Sequence, residues 1–183
     1  GGIFTTAGGV TVNRIAKWNG ATWSALGTGM DNSVRSLVFL GTDLYAAGGF
    51  TTAGGVSANY VAKWNGSAWS ALGTGLNNTV YGVAAIGTDL YVGGTFSTAG
   101  GTSANYIAKW DGASWSALGT GANSNVFCLL AVGTDLYAGG TFSSIGGVST
   151  SFGKWNGASW SSVGTGSPNG SIYTIISNGA DLY

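Results

Sequence analysis

The chain has no histidine and no glutamate, and these absences exclude most catalytic arrangements that a sequence can reveal. Without histidine there is no Ser-His-Asp or Cys-His nucleophile and no imidazole ligand for a metal. Without glutamate, a glycosidase pair would need aspartates alone. Cys128 is the only cysteine, so neither an internal disulfide nor a cysteine-based metal cluster can form. The sequence therefore predicts no enzyme activity, no cofactor and no metal.

Charge and long apolar runs are also scarce. Only 7% of the 183 residues are charged and the formal net charge is zero, whereas about 25% of the residues in a typical soluble domain are charged. There is no basic run to bind nucleic acid or an anionic membrane surface. No apolar run reaches the roughly 18 residues that a membrane helix needs. We expect neither nucleic-acid binding nor membrane insertion.

The chain is instead rich in glycine, small polar residues and aromatic residues. It has 35 glycines, and 13% of its residues are aromatic. Disordered segments are poor in aromatic residues, so this composition indicates a folded chain. Charge-poor chains rich in threonine, asparagine and glycine are common outside the cell. On that correlation we expect an extracellular or cell-surface protein.

The whole chain is a tandem repeat with a period of about 46 residues. A Lys-Trp-Asn/Asp-Gly phrase, followed by a second tryptophan, recurs in step with a Gly-x-Asp-Leu-Tyr phrase. The first tryptophans of the four copies are Trp18, Trp64, Trp110 and Trp155. Repeats that stay in phase along a whole chain indicate stacked structural units.

Each period predicts four short β-strands. In the second copy, residues 79–87 alternate and end at glycine, and residues 89–96 carry a glycine pair. The third strand is predicted at 105–110 in the third copy, and the fourth at 68–73, after an Asn-Gly or Asp-Gly turn. Such turns are the strongest short hairpin signal. No segment has a helical period, so the sequence predicts an all-β protein built from four-stranded antiparallel blades.

The order of motifs resembles the kelch repeat. "LYAAGG", "LYVGG" and "LYAGG" stand where that repeat has its di-glycine strand, and "KWNGxxW" stands for its last two strands and their turn. The pattern is similar to secreted or surface bacterial proteins of tandem kelch-like blades, and the resemblance covers the entire chain. It implies a β-propeller that serves as a non-enzymatic structural or interaction scaffold.

Complete blades are predicted at about 34–73, 80–119 and 126–164, with a fourth blade split between 171–183 and 1–27. In register, one residue is missing between Tyr183 and Gly1. Three closures fit: a four-bladed ring, a homodimer completing an eight-bladed ring, or part of a longer array. We favour the homodimer or the longer array over the four-bladed ring, because natural rings usually split a blade between strands, whereas this sequence is cut within a strand. An isolated open monomer is not expected to be stable, because an open arc would expose unpaired blade faces.

The repeated side chains have two interpretations. The tryptophans are expected to fill the wedge between blades. The alternative is a lectin-like propeller with one shallow sugar site per blade, in which the partner is a glycan rather than a protein. The candidate ligand-binding residues are Trp18, Trp64, Trp110, Trp155, Asn59 and Asn105.

The repeated charges are interpreted as structural. The aspartate of the Gly-x-Asp-Leu-Tyr phrase, as in Asp43, is expected to bond its own turn. The lysine beside the first tryptophan, as in Lys63, is expected to point to solvent or to pair with a repeated aspartate. Cys128 occupies a slot that takes small residues and is expected to be a buried, inert thiol.

Overall fold

The computed structural model describes all 183 residues, and its regular elements are all β-strands. No helix long and apolar enough to span a membrane is present. Sheet I consists of Val34–Leu40, Asp43–Gly48, Val61–Trp64 and Trp69–Ala71. Sheet II consists of Val80–Ile86, Asp89–Gly94, Ile107–Trp110 and Trp115–Ala117. Sheet III consists of Val126–Val132, Asp135–Gly140, Phe152–Trp155 and Trp160–Ser162.

In each sheet the four strands lie side by side in chain order and are antiparallel. The prediction of an all-β chain of repeated four-stranded antiparallel units is confirmed. Tight turns explain the order. Gly41 has a φ of 61° between the first and second strands, a value that glycine adopts without steric cost. In the next turn, Asn65 Oδ1 accepts hydrogen bonds from the Ser67 and Ala68 amides at 3.0 and 2.9 Å.

The pairing of the first two strands contains a β-bulge. In sheet I, Val34 lies opposite Gly48 and Ser36 lies opposite Ala47, so Arg35 has no partner. The same irregularity occurs in sheets II and III. A bulge turns its extra residue out of the ladder and sharpens the strand twist. Its repetition gives each sheet one side chain aimed away from the sheet face.

The three sheets pack face to face through separate hydrophobic clusters. One cluster joins sheet I to sheet II, and a second joins sheet II to sheet III. The first strands of neighbouring sheets lie side by side; we call this side the inner edge (Val34–Leu40, Val80–Ile86 and Val126–Val132). At Gly82 a Cβ would lie 3.0 Å from the Leu129 amide, so the backbones approach closely there. The arrangement is consistent with a propeller.

The glycine-rich segment between the second and third strands, for which the sequence predicts a loop, forms a small hairpin. In sheet I the loop hairpin pairs Thr52–Ala53 with Val56–Ser57. Ala53 also forms a bridge with Met30, which precedes sheet I. Corresponding bridges are Leu76 to Ala99 and Ala122 to Ile145. The loop hairpins therefore tie each sheet to the connection from the preceding unit.

The fourth unit is divided between the two ends of the chain. We call Ala16–Trp18 and Trp23–Ala25 the N-terminal hairpin, and Ser177–Asn178 with Asp181–Leu182 the C-terminal hairpin. A hydrophobic cluster joins the N-terminal hairpin region to sheet I. The segment before the C-terminal hairpin lies against sheet III, where the Ile172 amide donates to the Gly140 carbonyl at 3.0 Å. The two hairpins are separate sheets, and no hydrogen bond joins them.

Candidate functional site

The two tryptophans of each repeat form a ring pair at the outer end of a hairpin. They lie directly opposite each other across the turn, as Trp64 and Trp69 do in sheet I. Ring centroids in the four pairs are 5.2 to 5.5 Å apart, with interplanar angles of 48° to 52°. This tilted geometry is favourable for aromatic pairs. The spacing of the phrase therefore builds the same aromatic pair four times.

The second tryptophan of each complete sheet connects that sheet to the unit before it. Its indole Nε1–H donates to a leucine carbonyl of the preceding unit, and its ring is buried. The bonds are Trp69 to Leu26 (2.8 Å), Trp115 to Leu72 (2.8 Å) and Trp160 to Leu118 (3.1 Å). A buried indole N–H needs such an acceptor, so these rings are structural contacts between units.

The candidate sugar-binding residues do not form one cluster. Trp110 is buried, Trp64 and Trp155 are partly buried, and Trp18 has half of its surface exposed. The remaining two candidates are Asn59 and Asn105. Their amides donate to the carbonyls of Thr74 and Thr120 at 3.0 and 3.2 Å.

These asparagine amides therefore brace connecting loops, and no hydrogen bond joins them to a tryptophan. Among the six candidates, Trp18 presents the most ring surface. It lines a groove of about 1020 Å³ beside the N-terminal hairpin.

In the three complete sheets, the repeated lysines pair with the repeated aspartates, which is one of the two arrangements expected from the sequence. The ion pairs are Lys63–Asp43 (3.2 Å), Lys109–Asp89 (3.0 Å) and Lys154–Asp135 (2.6 Å). A hydrogen bond from Lys109 to Asp89 raises the lysine's pKa, and Lys154 has a raised pKa from its bond to Asp135. All these side chains are partly exposed.

The expectation that these aspartates bond their own turn is wrong. Asp43 is the first residue of the second strand, two residues before Tyr45, which lies opposite Lys63. Because residues i and i+2 share a face, the carboxylate reaches the lysine on the neighbouring strand. The tertiary pairing therefore replaces the local turn bond.

Two further aspartates hold loops. Asp31 Oδ1 accepts from the Thr51 and Thr52 amides at 2.9 and 3.0 Å. Burial is the largest single influence and acts to raise the pKa of Asp31, but these hydrogen bonds together with one from the Thr51 hydroxyl leave the pKa lowered. Asp111 caps its Asp-Gly turn, and hydrogen bonds from the Ser114 and Ala113 amides lower its pKa.

The cysteine is buried, as predicted. Its Sγ lies 3.6 Å from the Gly139 carbonyl oxygen. Burial raises the pKa of Cys128 to about 11, so the thiol is protonated at neutral pH and a poor nucleophile. No group of three or more Cys and Asp side chains is arranged to hold a metal ion.

Sequence reasoning missed a row of side chains at the inner edge. The bulge residues of the three sheets stack on one another from unit to unit, and Tyr173, which has the corresponding position in the divided unit, continues the stack. We call these four residues the bulge row: Arg35, Tyr81, Phe127 and Tyr173. The Arg35 guanidinium lies 4.8 Å from the Tyr81 ring centroid. Ring centroids are 5.3 Å apart for Tyr81–Phe127 and 5.4 Å for Phe127–Tyr173.

The bulge row has a signal in the sequence, because its members are spaced by the period. Its residue types vary, however, so these positions do not form a recognisable sequence motif. The bulge that aims these side chains is visible only in the strand register. Arginine, tyrosine and phenylalanine are also types enriched at protein interfaces.

Comparison with known proteins bears on the fold alone. No protein-family model matches the sequence, and no curated protein is significantly similar to it. Among solved structures, the chain is similar to the computationally designed Ika8 protein, with a TM-score of 0.51 and 14% sequence identity. The similarity covers 92% of this chain and 61% of the Ika8 chain. It supports an architecture of repeated four-stranded antiparallel units.

Proposed function

We propose that the chain is a non-enzymatic interaction module, a kelch-like propeller scaffold of a secreted or cell-surface protein. One observation carries the proposal. In the three complete sheets, the side chains that recur are engaged in contacts within a sheet or with the preceding unit, whereas the residue type in the bulge row varies from unit to unit.

In the complete sheets, the side chains at the repeated positions already form hydrogen bonds within the protein. The Trp115 indole donates to the preceding unit and the Lys109 ammonium bonds to Asp89. The Asp31 carboxylate holds a neighbouring loop. A group that is already bonded in this way stabilises the scaffold and would have to break its contacts to bind a substrate.

The bulge row is the surface that we assign to a protein partner. Arg35 and Tyr173 are exposed at its two ends, and Tyr81 and Phe127 between them are partly exposed. Tyrosine and arginine dominate binding energy at interfaces because they bury a large area and keep a polar group available. The same scaffold with other residues at these positions would present a different surface to a partner.

Affinity selection from a random peptide library tests this assignment. We expect peptides that bind the native chain and lose at least tenfold in affinity for an Arg35→Ala/Tyr81→Ala double variant. Ser161→Ala, at an exposed position of the fourth strand of sheet III, is the matched control and should bind normally. Selection of peptides that bind the double variant equally well would contradict the assignment.

A lectin is the second candidate, and the exposed ring of Trp18 favours it. This ring lines the groove beside Lys17 and Trp64, and aromatic faces are common platforms for sugar rings. A glycan array followed by fluorescence titration would detect it. The lectin predicts binding that Trp18→Ala abolishes, whereas absence of binding at millimolar sugar leaves the protein-binding scaffold.

A further inference from the structure

An apolar groove lies between the N-terminal hairpin and sheet I. Its volume is about 1020 Å³. Its main apolar side chains are Ile15, Trp18, Leu37, Phe39, Leu44 and Trp64. Phe39 is 66% exposed and Trp18 is 50% exposed. Contiguous exposed apolar surface of this kind marks a place where another surface binds.

Inside the protein, the corresponding place is filled by the first two strands of the preceding sheet. Val38 and Tyr45 of sheet I share a hydrophobic cluster with Leu90 of sheet II. Leu90 is fully buried, as is its counterpart Leu136 in sheet III. Leu44 has the same position in sheet I, yet it is only partly buried. The groove is therefore the place of the first two strands of the preceding unit, which are missing beside the N-terminal hairpin.

The C-terminal hairpin carries the side chains that match this position. By the repeat, Ile176 corresponds to Val38 and Tyr183 corresponds to Tyr45. Ile176 is 64% exposed and Tyr183 is 71% exposed. The groove at one end of the molecule and these two side chains at the other are thus complementary halves of the contact seen between sheets I and II.

The strand pairing extends the match to the backbone and to charge. In each complete sheet, the Asp-Leu-Tyr phrase of the second strand pairs with the Lys-Trp of the third. In sheet I the pairs are Leu44 with Trp64 and Tyr45 with Lys63. The same register would place Leu182 opposite Trp18 and Tyr183 opposite Lys17. It would also bring Asp181 to Lys17 and form the fourth ion pair, which is absent in the single chain.

Two further groups lack a partner that the repeat specifies. The Trp23 indole is 40% exposed, and its N–H has no hydrogen-bond acceptor. In the complete sheets the acceptor is a leucine carbonyl of the preceding unit, and the repeat puts the Val163 carbonyl at that position. At the inner edge, Arg35 covers Tyr81 on one side, while Tyr173 at the other end of the bulge row is 72% exposed. Joining the two ends would place Tyr173 beside a second Arg35.

We infer that residues 171–183 of a second copy of this chain fill the groove and complete a fourth four-stranded sheet with residues 1–27. The C-terminal hairpin of one copy supplies its first two strands, and the N-terminal hairpin of the other supplies its third and fourth. Two such joints, related by two-fold symmetry, close a ring of eight units. A second copy is the occupant because it presents every complementary group at once: the Asp181 carboxylate, the Val163 carbonyl and the exposed rings of Tyr173 and Tyr183. The assembly does not depend on the proposed interaction module, but it covers Trp18 and therefore excludes the lectin alternative in the associated form.

Light scattering during size-exclusion chromatography tests the joint. We expect twice the chain mass of 18.2 kDa for the native protein. Ile176→Asp and Phe39→Asp, each on one side of the joint and each exposed in the single chain, should both give the single-chain mass. Val56→Asp, at an apolar position of the loop hairpin that is 45% exposed, is the matched control and should leave the mass doubled.

Mixing the two broken variants separates this joint from any other dimer contact. The Ile176→Asp chain keeps an intact groove and the Phe39→Asp chain keeps an intact C-terminal hairpin, so an equimolar mixture should form one joint and regain the doubled mass. Failure of the mixture to associate would overturn the inference. So would a native protein with the single-chain mass, or a native mass above that of two chains.

The charges test the register. Lys17→Asp and Asp181→Lys should each weaken association, and the double exchange should restore it at least in part. Acrylamide quenching supplies a second readout, because Trp18 and Trp23 should become protected only in the associated form. Equal quenching at dilute and associating concentrations would contradict the proposed joint.

Discussion

Sheet II and the two terminal hairpins have nearly the same sequence phrases but very different surroundings. In sheet II, Trp110 and Trp115 are 8% and 9% exposed. Trp18 and Trp23, at the same positions of the N-terminal hairpin, are 50% and 40% exposed. The ring pairs have almost identical geometry, with centroids 5.2 and 5.3 Å apart.

The difference shows which part of the structure is local and which part comes from neighbours. The hairpin and its ring pair form from the phrase itself, because the turn and the cross-strand register need no other unit. Burial and the indole hydrogen bond require the unit on the other side. In repeat proteins, stability is accordingly the sum of intrinsic terms and nearest-neighbour interfaces.

The largest expected effect is at the leucine of the Asp-Leu-Tyr phrase. Leu90→Ala should lower the free energy of unfolding by about 2–5 kcal/mol, because the side chain is fully buried between sheets. Leu44→Ala should cost less than half as much in the monomeric Ile176→Asp background, where that leucine stays partly exposed. Urea denaturation measures both. Equal losses would show that the interface does not set the burial energy.

A smaller effect is expected at the glycine that ends the second strand. A Cβ on Gly48 would collide with the Ser33 carbonyl oxygen, so Gly48→Ala should destabilise the protein by about 1–3 kcal/mol. Gly2 is its counterpart in the divided unit, where a Cβ would meet only the Phe4 ring at 3.0 Å. In the monomeric Ile176→Asp background, Gly2→Ala should therefore change the thermal midpoint little. A large loss there would mean that the N-terminal segment is held as tightly as a complete sheet.

The indole hydrogen bonds allow a comparison of similar size. Trp115→Phe leaves the Leu72 carbonyl without its donor, which should cost about 1–3 kcal/mol. In the monomeric background, Trp23→Phe should be close to neutral, because its N–H has no acceptor there. In the associated protein it should weaken association, and dilution experiments would measure that loss.

The smallest effect concerns the ion pairs. The raised pKa of Lys109 means that its pair with Asp89 stabilises the folded state fully below the lysine's ordinary pKa and loses this contribution as pH rises through the raised value. The two side chains are 33% and 24% exposed, so the gain is at most about 1 kcal/mol. The stability difference between native and Lys109→Met proteins should vanish at high pH. A difference that persists there would assign the effect to packing of the lysine stem.

The fold was more accessible from the sequence than the contacts between units. The period, the Asn-Gly turns and the alternation near Val83 identify strands and their order, because these depend on residues close in sequence. The small hairpin at Thr52–Ala53 was missed because its bridge to Met30 comes from the preceding unit. The sequence did not decide whether Lys63 points to solvent or pairs with an aspartate, because only the register of the second and third strands brings it to Asp43.

For the candidate site as well, the sequence identified the repeated residues but not their contacts with neighbouring units. Repetition identified the tryptophans, but Trp18 is exposed and Trp110 is buried only because of what lies beside them. Arg35 and Tyr81 do not stand out in the sequence, because their residue types differ from unit to unit. Their stacking depends on a bulge in each sheet and on the approach of neighbouring first strands.

An all-β chain of four repeated units, with the same predicted strand order, turns and tryptophan pair in each, can be read from the amino-acid sequence alone. These features follow from short-range backbone preferences and from a repeated pattern of apolar residues. The contacts between strands and between units establish which copies of that pattern are buried, which charges are paired and which side chains form the bulge row. Burial and pairing are properties of two surfaces in contact, so identical phrases acquire different roles when their neighbours differ.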